Sequence, residues 1–319
     1  MLDVADVDKW ECTPLTWVIE GMIALENLVL LAAMTQTGKT LLGLYLAWAI
    51  ASGQRFLDRY ETGQFKVLYL VLEDPVRRIR DRLIDMKAAM TKPGQFIVHI
   101  APGFNLGNLS LFTYMEGLIE KEEFKVIFLD TYQRATPGLS SFDDERQSEI
   151  LHGLSDLTRK HKIAMVVLDH IRKSNNNSRS SRKTISIDDI KGTGGKPQNA
   201  DSVILLQRES KQLKFECSSK DADGKISMLL NVSAQGAAGP KFQYSGELMA
   251  SDGGRGSRER RLFDAIRPGE EVSCGELCVR TKSSPATVRR AARVLIDGNQ
   301  LTTNGKSGRW LRYKRRPDT

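Results

Sequence analysis

Short apolar runs alternate along the chain with longer segments in which apolar residues recur every three or four positions. This alternation predicts parallel strands joined by crossover helices, because parallel neighbours need a long connection. Six runs are almost continuously apolar, as is typical of strands covered on both faces. They are LVLLAA from Leu28, KVLYLVL from Lys66, FIVHIA from Phe96, KVIFLD from Lys125, IAMVVLDH from Ile163 and SVILLQ from Ser202. The pattern predicts an α/β fold with a parallel β-sheet core flanked by helices.

The segments between these runs complete the first domain. Helical spacing of apolar residues is present in TLLGLYLAWAIASG, DPVRRIRDRLIDMKAAM, LFTYMEGLIEKEE and DERQSEILHGLSDLTRKHK. LKFECSS and ISMLLNVS, separated by KDADGK, predict an antiparallel hairpin at the sheet edge. The polar, basic segment RKSNNNSRSSRKT predicts a mobile loop. A later Gly/Ser-rich run predicts a domain linker.

The last part of the chain has its own pattern. RERRLFDAIRPG, ELCVRTK, SPATVRRAARVLIDGNQL and TTNGKSGRWLRYKRR predict a helix, a short helix, a turn, a helix and a two-stranded ribbon around Asn304-Gly305. Ser284 can cap the third helix, and Pro285 suits its first position. This order resembles a winged helix-turn-helix. We therefore predict an ATPase domain at 1–240, a linker at 241–257 and a small winged-helix domain at 258–319.

Composition places limits on the class of protein. Among 319 residues, 40% are hydrophobic and 27% charged, as in globular proteins that are not embedded in a membrane. The apolar run LVLLAAM is far shorter than the roughly 20 residues of a membrane span, and no charged-then-apolar leader opens the chain. We expect a cytoplasmic protein with no membrane partner. Four dispersed cysteines fit reduced thiols, and Cys274 and Cys278 lack a second pair for zinc.

The net charge of +8 is concentrated at one end of the chain. From Arg258 onward there are 15 Lys and Arg against 7 Asp and Glu, whereas the rest has 32 of each sign. A local excess of this kind favours a polyanionic partner, with nucleic acid first.

The segment AMTQTGKT follows the first predicted core strand and precedes the first helix. A phosphate loop needs backbone N–H groups aimed at an anion, a lysine for the terminal phosphates and a hydroxyl for Mg²⁺. Gly38, Lys39 and Thr40 satisfy the second half of that pattern. Ala33 stands where a leading glycine is expected, and Thr35 and Gln36 stand where small residues are usual. A simple turn between strand and helix is the alternative.

Three further polar groups follow predicted strands. Asp130 suits a carboxylate that holds the water ligands of a metal ion beside a nucleotide, and Glu73 suits the base that deprotonates an attacking water. His170 could sense the terminal phosphate. Each has a structural alternative, as a helix cap or an ordinary strand-end residue. Because ligands bind at the carboxyl ends of strands in open α/β sheets, the joint pattern favours a nucleotide site.

The sequence resembles the RecA-fold hexameric ATPases of the RepA plasmid-helicase type, which are related to the replicative helicase DnaB. The resemblance spans about Thr13 to Val232. It is carried by PLTWVIEGMIALENLVLLAAMTQTGKT, VLYLVLEDPVRRIRDRL, VIFLDTYQRA, VVLDHIRKS and KGTGGKPQNADSVILLQRE. It implies a RecA-like core, ATP and Mg²⁺ as cofactors and a homo-oligomeric, hexameric ring.

The resemblance also implies roles for individual residues. The nucleotide would be bound by Thr35, Gln36, Thr37, Gly38, Lys39, Thr40 and Leu41, with Thr40 and Asp130 holding the metal. Glu73 would be the base, Asp130 the Walker B acid and His170 the sensor. Lys220 matches a cation that enters the neighbouring subunit's site, although Asp221, Ala222 and Asp223 follow where an arginine is usual. Lys191 is a second candidate, and an exposed hairpin lysine is the alternative.

DNA contacts are predicted in two places. The resemblance makes RATPGLSSFDDER and the basic segment from Arg172 to Lys196 the loops that face a central channel and contact single-stranded DNA. The residues predicted there are Arg172, Lys173, Arg179, Arg182 and Lys183. In the winged-helix module the predicted contacts to duplex DNA are Arg289, Arg290, Arg293, Lys306, Arg309 and Arg312. A protein-binding winged helix is the alternative.

These interpretations lead to one hypothesis and two rivals. The leading hypothesis is an ATP-dependent, ring-forming helicase or translocase in the replication of a mobile element. The first rival is an ATPase that loads or mediates without unwinding. The second is a DNA-binding regulator that binds ATP as a signal.

Overall fold

The computed structural model describes residues 14–88, 91–139, 143–171, 198–209, 212–232, 242–247, 262–267, 269–281, 283–297, 301–304 and 311–315. The chain divides into two compact units, residues 1–247 and residues 248–319. Within the described ranges, no helix has both the length and the apolar character that crossing a bilayer requires.

The first unit contains a small hairpin and a nine-stranded sheet. The hairpin strands are β1 (Trp17–Ile19) and β2 (Ile23–Ala24). The strands of the large sheet are β3 (Leu28–Ala33), β4 (Val67–Val71), β5 (Phe96–Ile100), β6 (Val126–Asp130), β7 (Ala164–His170), β8 (Ser202–Glu209), β9 (Gln212–Ser219), β10 (Lys225–Val232) and β11 (Phe242–Glu247). Their order across the sheet is β11-β10-β9-β8-β3-β7-β6-β4-β5.

The strands from β8 to β5 in this order are parallel, whereas β9, β10 and β11 extend the sheet in antiparallel fashion. All six predicted core runs are strands, with ends within two residues of the predicted ones. The predicted RecA-like parallel sheet flanked by helices is therefore confirmed.

Helices cover both faces of the sheet. They are α1 (Lys39–Ser52), α2 (Val76–Asp85), α3 (Leu109–Glu122), α4 (Tyr132–Ala135) and α5 (Asp144–His161). Side chains alternate along a strand, so Tyr69 of β4 packs in the core with α1 and α2, and Leu68 packs in the core with α3, α4 and α5. This arrangement leaves the ends of the strands as the open surfaces of the sheet.

Both edges of the sheet differ from the prediction. The β9–β10 hairpin is not outermost, because β11 pairs with β10 inside the segment expected to be linker. Phe242 is buried and Tyr244 packs against the same core, a period-two pattern that the neighbouring Gly and Ser residues obscured. At the opposite edge, β5 alternates between half-buried and exposed residues and is not covered on both faces.

The second unit combines helices with a small antiparallel sheet. Its elements are β12 (Glu271–Ser273), α6 (Cys274–Thr281), α7 (Pro285–Asp297), β13 (Leu301–Thr303) and β14 (Arg312–Arg315), with strand order β12-β14-β13. Ser284 caps α7 as predicted, since its hydroxyl accepts a hydrogen bond from the Thr287 N–H at 3.3 Å. Strand β12 was not predicted. The tip of the ribbon, 305–310, lies outside the described residues, and the winged-helix assignment stays a prediction.

Candidate active site

The register of the parallel strands brings four distant segments together. Ala33 is paired with His170, the last residue of β7. Leu168 is paired with Asp130, and Asp130 with Val71. We call the surface formed by residues 34–40, 72–74, 130–131 and 169–170 the carboxyl edge. This surface lies at the carboxyl ends of the strands, where open α/β sheets bind ligands, and not at a lateral edge of the sheet.

The loop between β3 and α1 has a backbone suited to an anion. Gln36 and Gly38 both have left-handed φ angles, 60° and 101°. An added Cβ at Gly38 would meet nothing within 4 Å, so the backbone conformation, not space, requires glycine here. No side chain caps the first turn of α1. Its N–H groups are therefore available to an anion at the positive end of the helix dipole.

Lys39 is buried at the start of α1, with 5% of its surface exposed. Its ammonium has no hydrogen-bond partner among the described residues. Burial lowers the pKa of Lys39, while attraction to Asp130, Asp169 and Glu73 opposes that shift. Burying a cation without a hydrogen-bond partner costs free energy, and a phosphate group would supply the missing acceptor and negative charge. These residues therefore fit a bound nucleotide.

Asp130 lies at the end of β6 and is 3% exposed. The Tyr69 hydroxyl donates a hydrogen bond of 2.8 Å to Asp130 Oδ2, and the Thr40 hydroxyl also hydrogen-bonds this carboxylate. Burial raises the pKa of Asp130, and these two hydrogen bonds and the charge of Lys39 oppose the rise. A hydroxyl and a carboxylate are oxygen donors of the kind that Mg²⁺ prefers. Thr40 and Asp130 thus fit the predicted metal pair.

Glu73 projects from the carboxyl edge two residues after β4, with its side chain 43% exposed. Its Oε2 lies 3.9 Å from His170 Nε2, and its Oε1 lies 4.0 Å from a terminal nitrogen of Arg134. These distances are too long for direct hydrogen bonds, so neither His170 nor Arg134 fixes the position of the Glu73 carboxylate. Glu73 is close to the predicted phosphate site and retains oxygens that water can reach.

His170 is half-buried between the phosphate loop and Glu73. Burial and the charge of Lys39 lower the pKa of His170, so the neutral imidazole is favoured. Its Nδ1 is buried and has no hydrogen-bond partner in the part of the chain that the structure describes. The backbone N–H of His170 donates a hydrogen bond of 2.9 Å to Asp169 Oδ1, a contact that does not involve the ring. A neutral ring with an unused nitrogen suits contact with a ligand group.

Lys220 lies at the opposite end of the strands. It follows Ser219, which pairs with Ser202, and Ser202 pairs with Val29 near the start of β3. Its ammonium is 3.6 Å from Asp201 Oδ1, and its side chain is 60% exposed. The structure therefore does not bring Lys220 to the site of its own chain. The second candidate, Lys191, lies outside the described residues.

The predicted DNA-binding residues are only partly described. Arg172, Lys173, Arg179, Arg182 and Lys183 lie outside the described ranges, as do Lys306, Arg309 and the side chain of Arg290. Arg289 and Arg293 are exposed one turn apart on α7, and Arg312 is half-buried on β14. Arg289, Arg293 and Tyr313 line a groove of about 580 Å³ in the second unit.

Sequence reasoning missed three residues of this site. Tyr69 holds the Asp130 carboxylate, Asp169 acts electrostatically on Lys39, and Arg134 faces Glu73. Two signals were available: a buried phenol within an aliphatic strand usually has a hydrogen-bond partner, and Asp169 follows a predicted strand as Asp130 does. Arg134 is predicted only as part of a loop that contacts DNA.

Comparison with known proteins identifies the family. A family model described as an AAA domain matches residues 1–176, more than half of the chain. The chain belongs to this AAA domain family. Together with the phosphate loop and the buried carboxylate, this membership makes the protein a nucleotide-binding ATPase of the P-loop type.

Other comparisons add less. No curated protein matches the chain. Among solved structures, the KaiC-like protein PH0186 from Pyrococcus horikoshii OT3 is similar at 17% identity, with 70% of this chain and 93% of that chain covered and a TM-score of 0.47. A similarity of this size says nothing about what this AAA domain protein acts on.

Proposed function

We propose that this AAA domain protein is an ATP- and Mg²⁺-dependent motor that works on DNA as a ring-forming helicase or translocase of the RepA type. The observation that carries the proposal is the convergence of Lys39, Asp130, Glu73 and His170 on the carboxyl edge. A simple turn between strand and helix would not need a buried, unpaired ammonium facing three carboxylates.

The proposed chemistry assigns one task to each group. Lys39 and the first N–H groups of α1 bind the terminal phosphates. Mg²⁺, held through Thr40 and Asp130, would neutralise charge on the phosphoryl oxygens. Glu73 orients the attacking water and accepts its proton, for which its partly exposed carboxylate is suited. The neutral His170 contacts the transferred group through a ring nitrogen.

The position of Lys220 supports assembly into a ring. From its place beside the start of β3, this lysine is about 15 Å from the carboxyl edge, given a rise of about 3.3 Å per strand residue. It cannot reach its own nucleotide without a large rearrangement. A neighbouring subunit that places its Lys220 against the carboxyl edge would supply the missing positive charge during phosphoryl transfer.

The second unit supports a DNA partner. Arg289 and Arg293 are exposed on one face of α7, and they take part in no ion pair among the described residues. Arginines spaced one helical turn apart are suited to contacts with successive phosphates, and α7 is the helix expected to enter the major groove. We propose that this unit localises the motor on duplex DNA.

The test combines three measurements on the full chain. The ATPase rate is measured with and without single-stranded DNA, oligomer size is measured in the presence of ADP and a non-hydrolysable ATP analogue, and strand displacement is followed on a forked duplex. The proposal expects strong stimulation by DNA, a nucleotide-stabilised ring and unwinding. ATP hydrolysis without unwinding would favour a loader or recombination mediator. ATP binding without hydrolysis would favour a regulator.

A further inference from the structure

The Walker B carboxylate of this chain is held by a tyrosine from a different strand. Tyr69 is in the middle of β4, and Phe128, which pairs with it on β6, lies two residues before Asp130. The Tyr69 and Phe128 rings are stacked, with centroids 5.4 Å apart and an interplanar angle of 11°. This packing fixes the ring, so its hydroxyl reaches Asp130 Oδ2 at 2.8 Å.

The Tyr69 hydroxyl is the donor in this hydrogen bond. The side chain is fully buried, and its neighbour, the Asp130 carboxylate, offers acceptor oxygens. A protonated phenol beside a carboxylate can only donate the shared hydrogen bond.

A glycine in α1 makes room for this contact. Gly43 lies in the interior of the helix, where glycine is unfavourable because of its backbone freedom. An added Cβ there would lie 2.8 Å from the Tyr69 hydroxyl oxygen and 2.9 Å from a methyl group of Leu168. Any larger residue would require the phenol, the Leu168 side chain or the helix to shift. The helix that carries the phosphate loop thus contains a glycine at the point where Tyr69 approaches.

We propose that Tyr69 is a positioning residue for the metal site, a role that rests on the proposed function of the carboxyl edge. Its hydroxyl donates to Asp130 Oδ2, so Oδ1 is the oxygen that Tyr69 leaves available and that would bind Mg²⁺ or one of its water ligands. Thr40 also hydrogen-bonds Asp130, but its hydroxyl oxygen would be needed as a ligand if Mg²⁺ were bound as proposed. Tyr69 is then the donor that keeps the carboxylate in place. Outer-shell partners of this kind orient metal-binding carboxylates.

The test measures Mg²⁺ dependence of nucleotide binding, not turnover. A fluorescent, non-hydrolysable ATP analogue is titrated against the full chain in EDTA and at a series of free Mg²⁺ concentrations. Tyr69→Phe keeps the ring and removes the hydroxyl. It should raise the Mg²⁺ concentration at half-effect on the order of tenfold and leave Mg²⁺-free binding unchanged. Tyr45→Phe is the matched control, because Tyr45 lies in α1 and packs against Trp48 and Phe242. This substitution should leave both the Mg²⁺ dependence and the Mg²⁺-free affinity unchanged.

A second variant guards against an indirect effect. Gly43→Ala should shift the Mg²⁺ dependence in the same direction as Tyr69→Phe. In the Tyr69→Phe background it should add less than it does alone, because the hydroxyl that it displaces is gone. An unchanged Mg²⁺ dependence in folded Tyr69→Phe, or multiplicative effects in the double variant, would overturn the positioning role. If the wild-type chain binds no nucleotide, or Lys39→Met binds it equally well, the proposed function itself fails.

Discussion

The two ends of the parallel strands differ in whether their charged side chains have partners within the chain. At the start of the strands, Asp201 accepts a hydrogen bond of 2.9 Å from the Leu28 N–H and lies 3.6 Å from the Lys220 ammonium. Asn27 donates a hydrogen bond of 2.9 Å to Asp221. We call this group, Asn27, Leu28, Asp201, Lys220 and Asp221, the amino edge. Its buried polar groups have partners within the chain.

At the carboxyl edge the balance is reversed. The Lys39 ammonium is buried without a hydrogen-bond partner among the described residues, and Asp130 and Asp169 are buried close to it. Burying the Lys39 ammonium without such a hydrogen-bond partner lowers the stability of the free protein, because attraction to Asp130 and Asp169 only partly replaces its lost hydration. Proteins retain unpaired buried charges mainly where a ligand completes them. Substitutions at the carboxyl edge should therefore affect activity, whereas those at the amino edge should mainly affect stability.

Lys39→Met should have the largest effect on activity. We expect ATPase activity to fall about 10³-fold or more, because a preorganised charge on the phosphates is lost. The free energy of unfolding of the nucleotide-free protein should change by less than about 2 kcal/mol, because relief of the buried ammonium is offset by the loss of its attraction to Asp130 and Asp169. ATPase assays measure the loss of activity, and urea unfolding measures the free energy of unfolding. A large loss of stability would mean that Lys39 is a structural residue.

Glu73→Gln should separate binding from hydrolysis. ATP should still bind, but hydrolysis should fall about 10²-fold, because the amide cannot accept a proton from water. Single-turnover kinetics with radiolabelled ATP would show the trapped nucleotide. Glu120→Gln, a change of an exposed glutamate on α3, serves as the control. Equal effects of the two substitutions would contradict the assignment.

Asp201→Ala tests the amino edge. The free energy of unfolding should fall by about 2 kcal/mol, because the buried Leu28 N–H loses its acceptor. Nucleotide affinity should change by less than about twofold, since the carboxyl edge is untouched. Asp156→Ala, which removes an exposed carboxylate 3.9 Å from Arg159, should cost less than about 0.5 kcal/mol. Loss of nucleotide binding in Asp201→Ala would contradict the expectation that substitutions at the amino edge affect stability and leave the nucleotide site intact.

Lys220→Ala is the expected exception at the amino edge. Stability should change by less than about 0.5 kcal/mol, because the Lys220 side chain is 60% exposed. Asp201 keeps the Leu28 N–H and Arg159 as partners. If Lys220 acts in a neighbouring subunit as proposed, DNA-stimulated ATP hydrolysis should fall about tenfold, since a positive charge at the transferred phosphoryl group is lost. Mixing Lys220→Ala with Lys39→Met subunits should restore some activity, because some interfaces then carry both lysines. Absence of recovery in mixed assemblies would refute a contribution in trans.

The smallest effect should be a pH dependence from His170. Its folded pKa is lowered, so below about pH 6.5 the unfolded state binds more protons than the folded state. Stability from this group is therefore present above that pH and is lost as the pH falls. His170→Gln should remove this loss, a difference of less than about 1 kcal/mol between pH 7 and pH 5. Parallel urea unfolding curves at the two pH values would measure it.

Much of the fold followed from local pattern. The continuous apolar runs predicted the strands of the parallel sheet within two residues, since strands buried on both faces need no polar positions; β5, exposed on one face, is the exception. Ser284 and Pro285 marked the start of α7 because capping is a property of adjacent residues. Strand β11 was missed because its short alternation is flanked by Gly and Ser. Strand β12 has three residues, too few for a periodic signal.

For the site, the sequence by itself determined which chemical groups are present and that several follow strands: Lys39, Thr40, Glu73, Asp130 and His170. Their approach depends on strand order, since β7 lies between β3 and β6 and places His170 beside the phosphate loop. Only the tertiary structure decided that Tyr69 reaches Asp130, that Gly43 leaves space for it and that Lys220 lies at the far end of the sheet. Strand order and helix packing bring together residues that no local spacing relates, so these contacts have no signature in the sequence of any one segment.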